Sequence, residues 1–181
     1  MMQCIRKLGL LVDEWQGDCM EEMVLNNELT LAYPDGFHEL NEMESYQVFG
    51  MDTPDRWSIR DEARHAIISI QCNESHPSFL RKLVSTQELA QRAEKATSKA
   101  YKDAGYSCTP ITTRELCGQE SCGFEFEYAI DGTPQVGRID VFTHPIERGN
   151  CCYTIYLHSS KENADENKAL YEAMLASMAL E

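Results

Sequence analysis

Eight cysteines and five histidines are the side chains of widest chemical reach in this 181-residue chain. A thiolate can attack carbon, form a disulfide or bind a soft metal, and an imidazole can move its proton or share the metal. Spacing decides among these uses. Cys4, Cys19, Cys72, Cys108, Cys117, Cys122, Cys151 and Cys152 include no Cys-x-x-Cys pair. One reading gathers Cys117, Cys122, His144 and Cys151 or Cys152 into a metal or redox site at one end of a sheet. Against it, Cys151 and Cys152 are adjacent in strand-like text and so point to opposite faces. The other reading takes the cysteines as small buried hydrophobes and loop thiols, not bridges, in a reducing compartment. His38, His65, His76, His144 and His158 are scattered. A Cys/His nucleophilic pair stays open, because such partners meet only in space. The chain holds no GxSxG, GxGxxG, phosphate-loop, HExxH or EF-hand pattern. The expectation is a non-enzymatic protein without a cofactor.

Charge narrows the partner. Thirty acidic residues against 16 basic ones give a net charge of −14, which opposes a surface that tracks phosphates. Nucleic acid is therefore not expected; another protein is, offering an apolar or basic segment. No stretch approaches the ~20 apolar residues of a membrane helix, so a membrane partner is not expected either. The early run LGLLV stops at Asp13, shorter than the ~7–15 residues of a signal peptide's apolar region, and this points to a cytoplasmic protein.

These side chains must be positioned by the elements between them. EMVL-NN-ELTLAY reads as a hairpin turning on Asn26 and Asn27, which tolerate positive φ. After the turn at Pro34-Asp35-Gly36, with Phe37 as an apolar anchor, Asn41 and Glu44 form a capping box for a short helix. Its apolar side is Met43, Tyr46 and Phe49, and Gly50 closes it. DTPDRW reads as a loop into a strand. In ARHAIISIQC the residues Ala66, Ile68, Ile70 and Cys72 alternate as one buried face. Ser85 and Glu88 cap a helix over 85–103, and Asn163 with Glu166 caps another over 164–179, whose stripe is Tyr171, Met174, Leu175 and Met178. Four strands lie between them, at 106–116, 123–130, 135–143 and 151–158. Links this short make the sheet antiparallel and the class α+β.

Hydrophobic alternation suggests a register. Pairing Ile130 with Gln135 and Ile146 with Asn150 puts Phe124, Phe126, Tyr128, Ile139, Val141, Tyr153, Ile155 and Leu157 on one face. The opposite face then carries Glu125, Glu127, Arg138, Asp140, Phe142, Cys152, Thr154, Tyr156 and His158. Its bland reading is a solvated face with cross-strand ion pairs worth under about 1 kcal/mol each. Its functional reading is a partner surface centred on Glu127, Arg138, Phe142, Tyr156 and His158, where aromatics interleave with charge.

LTLAYPDGFHEL resembles the entry of PsbP-like domains, and YTIYLHSSKENADENKALYEAMLASM resembles their last strand, polar turn and closing helix. The resemblance spans residues 21–181 as one domain and leaves 1–20 as a separate N-terminal segment. It implies an antiparallel sheet of about six strands flanked by helices on both faces, an α/β/α sandwich. The superfamily includes the extrinsic photosystem II protein, a Ran-binding nuclear import factor and many bacterial proteins. What it implies here is a protein-binding or chaperone-like domain of bacterial type, with the metal- or redox-active cysteine protein as the alternative.

Overall fold

A computed structural model describes residues 20–49, 55–75, 84–146 and 149–180. The expectations for the N-terminal segment and for Gly50 as a helix stop lie outside these residues. Two strands, β1 (Met20–Leu25) and β2 (Leu29–Pro34), form the expected hairpin. Its turn carries positive φ at Asn26 (53°) and Asn27 (57°), a conformation asparagine adopts at low cost. Two residues of β3 (His38–Glu39) follow, then α1 (Glu42–Phe49). The Asn41 Oδ1 accepts from the amides of Met43 and Glu44, and Glu44 reaches back to the Asn41 amide, so the capping box is complete. Phe37 is buried as an anchor should be. Met43 and Tyr46, however, stand 72% and 60% exposed, so only the Phe49 end of α1 meets the sheet.

The main sheet is antiparallel. It contains β4 (Arg56–Asp61), β5 (Ala66–Ser75), β6 (Ser107–Cys108), β7 (Thr112–Leu116), β8 (Gln119–Ile130), β9 (Thr133–Ile146) and β10 (Gly149–Ser160). Its eight-strand order is β3-β4-β5-β10-β9-β8-β6, with β7 also pairing β8. A second sheet joins β1 and β2 to β11 (Ala179–Leu180). The class is α+β as expected, but the strand count exceeds six for two reasons. The run expected as one strand over 106–116 splits into β6 and β7, and the chain termini of the described fold close a small sheet of their own.

Helices lie on both faces. The helix α2 (Thr86–Ala100) packs on β8 and β9, with Ser85 and Glu88 forming the expected capping box. On the other face α3 (Ala164–Ser177) packs on β2 and β10. Tyr171, Met174, Leu175 and Met178 are buried as the stripe required. Asn163 makes no side-chain cap; its amide instead donates to the Arg64 carbonyl at 3.0 Å.

The register corrects the expectation. Ile130 pairs with Thr133, two residues from Gln135, and a shift of two preserves the faces, so Phe124, Phe126 and Tyr128 still join Ile139 and Val141. Ile146 pairs with Gly149, one residue from Asn150, and a shift of one turns all of β10 over. The neighbour on the far side of β10 accounts for this. Tyr153, Ile155 and Leu157 stand opposite Cys72, Ile70 and Ile68 of β5, and together they form the core beneath α3. The apolar set of β5 thereby outweighs that of β8.

Cys72 and Cys151, on these neighbouring strands, are joined as a disulfide with Cα atoms 6.2 Å apart. This overturns the expectation of cysteines without bridges. Spacing along the chain gave no sign of it, because 79 positions separate the two residues and only strand pairing brings them together.

Candidate functional site

The flipped register divides the five expected surface residues. Glu127, Arg138 and Phe142 project to the α3 face, while Tyr156 and His158 project to the α2 face. Phe142 is wholly buried and stacks on Tyr153 at 5.0 Å, so it is core.

On the α3 side, Arg138 belongs to a charge network around the fully buried Asp140. Asp140 accepts from Arg138 Nε at 2.8 Å, Arg114 Nε at 3.0 Å and Tyr171 Oη at 2.9 Å. Burial opposes the charge on Arg138, yet the bonds to Asp140 more than offset it and raise its pKa. Gly123 lies opposite Asp140 because a Cβ there would sit 2.4 Å from the carboxylate. A cleft of about 540 Å³ adjoins this network and is lined by Glu125, Glu127, Arg138, Lys161 and Lys168. Those charges satisfy one another: Lys161 bonds Glu127 at 2.7 Å, and Arg138 and Lys168 both bond Glu125. Such a set holds the sheet to α3 and offers little to a ligand.

The α2 side differs. The helix covers β8 and β9 and leaves a groove of about 650 Å³ towards β10 and β5. Leu89 and Ala93 of α2 and Val141 of β9 supply its apolar wall, and Gln71, Asn73 and Thr154 supply hydrogen-bonding groups. Tyr156 lies at its edge. From there a row of rings crosses the face. Tyr156 is parallel to His158, whose Nδ1 shares a hydrogen bond of 2.9 Å with Tyr128 Oη, and Tyr128 stacks on Tyr101 at 4.0 Å. Burial, with a further push from Arg56, lowers the His158 pKa to about 4, so the imidazole is neutral at pH 7. An amphipathic groove with fixed aromatics and carboxamides can hold an extended polypeptide, apolar side chains against the wall and backbone against the amides.

Among the described residues four cysteines are free: Cys108, Cys117, Cys122 and Cys152. Cys151 is spent in the disulfide, and Cys152 points to the α2 side. Burial raises the pKa of Cys152 and pushes the Cys117 thiol up to about 11, opposite to the depression an activated thiolate needs. Among the described residues no group of three His, Cys, Asp or Glu side chains could hold a metal ion.

Sequence reasoning missed Leu89, Ala93, Gln71 and Arg56. The signal was present in RWSI, where Arg56 and Ser58 alternate with Trp57 and Ile59, but that segment read as a loop entering a strand.

No family model matches the chain, and no characterised protein matches it by sequence. Solved structures do match. The solution structure of cyanobacterial PsbP from Synechocystis sp. PCC 6803 superposes with a TM-score of 0.60 at 16% identity, over 96% of this chain and 99% of that one. The Saccharomyces cerevisiae Ran-binding protein Mog1p gives 0.58 at 9% identity, over 91% and 96%. LpqN of Mycobacterium tuberculosis, described as involved in cell envelope biogenesis, gives 0.54 at 12% identity, over 89% and 91%. The fold is PsbP/Mog1-like, as the resemblance implied.

Proposed function

We propose that this PsbP-like chain is a non-enzymatic protein-binding domain that seats an extended segment of its partner in the groove between α2 and β10. The observation that carries the reading is the groove itself, with Leu89, Ala93 and Val141 on one wall and Gln71, Asn73 and Thr154 beside them. Its apolar groups can take alternate side chains of an extended segment, and its carboxamides can take the backbone between them. The likeness to Mog1p, a Ran-binding protein, supports a protein as the partner class. The chaperone-like form of this reading, a domain that shields an apolar segment, uses the same wall.

Selection of short peptides from a random displayed library on the full chain tests the proposal. The selected peptides are expected to shift the backbone resonances of Leu89, Val141 and Tyr156 on titration, and Leu89→Glu is expected to weaken them at least tenfold. Selection of none, or shifts confined to other faces, overturns it.

A further inference from the structure

Arg56 is a half-buried cation at the edge of the groove face with no carboxylate within ion-pair distance among the described residues. Four other arginines among the described residues are treated differently, whereas Arg92, exposed on α2, has no ion pair either. Arg60, Arg64, Arg114 and Arg138 each have a carboxylate oxygen at 3.7 Å or closer. The only hydrogen bond from the Arg56 guanidinium among the described residues runs to Gln71 Oε1 at 3.2 Å, and its Nε is buried without an acceptor. Two rings hold it: the guanidinium carbon lies 4.4 Å from the centroid of Phe49 and 5.5 Å from that of Tyr156. Rings so placed support the guanidinium by cation–π attraction and leave its in-plane N–H donors for a ligand.

The strand register places further donors beside it. Arg56 pairs with Gln71 and Gln71 with Thr154; two residues along, Ser58 pairs with Ser69 and Ser69 with Tyr156. Ser58 and Ser69 are 3% and 1% exposed, and neither hydroxyl has a hydrogen-bond partner among the described residues. Buried polar groups are ordinarily satisfied, so a cation and two hydroxyls left over on one patch describe the complement of an acceptor-only group. His158, two residues beyond Tyr156 on the same face, is neutral and adds no second positive charge.

We propose that Arg56, with Ser58, Ser69 and Gln71, forms an anion pocket that receives a carboxylate carried by the polypeptide segment in the groove. The inference rests on the groove reading, since Gln71 belongs to both and the Tyr156 ring at the groove's edge holds Arg56. A carboxylate fits better than a phosphate: a single guanidinium matches a single negative charge, and a dianion would meet the repulsion of a chain at −14. The proposed pocket asks for an acidic group on the partner, where net charge alone led to the expectation of an apolar or basic segment.

The test uses the displayed peptides on the full chain. They are expected to carry an acidic residue or free C-terminus at one fixed position. Replacing that group by glutamine or an amide should weaken binding at least tenfold, and Arg56→Gln should abolish the difference. Arg56→Lys, which keeps the charge, should retain part of it and serves if the first variant misfolds. Selected peptides that bind the groove without any acidic group overturn the anion pocket and leave the groove reading intact. Selection of no peptide overturns both. Succinate alone binding as tightly as the best peptide overturns the assignment of the carboxylate to a polypeptide.

Discussion

Tyr171 of α3 donates its phenol to the buried carboxylate of Asp140 on β9 across 2.9 Å, and this bond pins the closing helix to the sheet. The same carboxylate balances Arg114 and Arg138, and its loss leaves these half-buried cations only the more exposed Glu125 and Glu172. Asp140→Asn is expected to lower the free energy of unfolding by about 3–5 kcal/mol in urea titrations. Tyr171→Phe removes one bond and leaves the ion pairs, and should cost about 1–3 kcal/mol. Equal effects of the two variants would contradict the view that Asp140 is chiefly a counter-ion.

Gly137 faces Phe126, and a Cβ at that position would lie 2.3 Å from the ring. Phe126 cannot step aside, because Tyr101, Tyr106, Phe124 and Tyr128 all pack around it. Gly137→Ala should therefore behave as an overpacked core variant and cost about 1–3 kcal/mol. Thermal melting measures it, and an unchanged midpoint would show that the aromatic cluster is loose.

The disulfide between Cys72 and Cys151 closes a long loop, with 79 positions between its ends. Chain-entropy reasoning gives such a link up to about 4.5 kcal/mol of stabilisation. Peptide mapping without reductant should recover the two cysteines in one linked fragment, and reductant should lower the melting temperature. Recovery of both as free thiols in protein kept from reductant would remove the link.

Local chemistry was legible in the sequence and long-range pairing was not. Asn26-Asn27, Asn41 with Glu44, and Ser85 with Glu88 each act within four residues, and each does what its spacing implied. The face of β5 was equally readable, since Ala66, Ile68, Ile70 and Cys72 are all buried in one cluster. β10 was not, because both of its faces are partly apolar: Tyr153, Ile155 and Leu157 on one, Cys152 and Tyr156 on the other. Alternation then permits two registers, and the neighbouring strand chooses between them. The groove was hidden for the same reason. Its residues come from α2, β5, β9 and β10, and only the correct register places Tyr156 and Thr154 beside Leu89 and Val141.

His158 gives the pH dependence of the fold. Burial first, and then the charge of Arg56, lowers its pKa from 6.5 to about 4. In the unfolded chain the group binds a proton near pH 6.5, and in the folded chain only near 4. Between those values the unfolded state holds more protons, so stability falls as the pH is lowered through this window and is unaffected by His158 above it. The full shift corresponds to a loss of about 3 kcal/mol by pH 4. Asp61 and Glu125, whose pKa values are lowered in the fold, add their own losses in more acidic solution as they protonate. His158→Gln should flatten the profile between pH 6.5 and 4.5 while leaving the acid limb. Arg56→Gln should raise the His158 pKa measured by NMR, because it removes the one nearby charge that opposes protonation. A His158 pKa near 6.5 in the native protein would mean that the ring is solvated, contrary to the burial that lowers it.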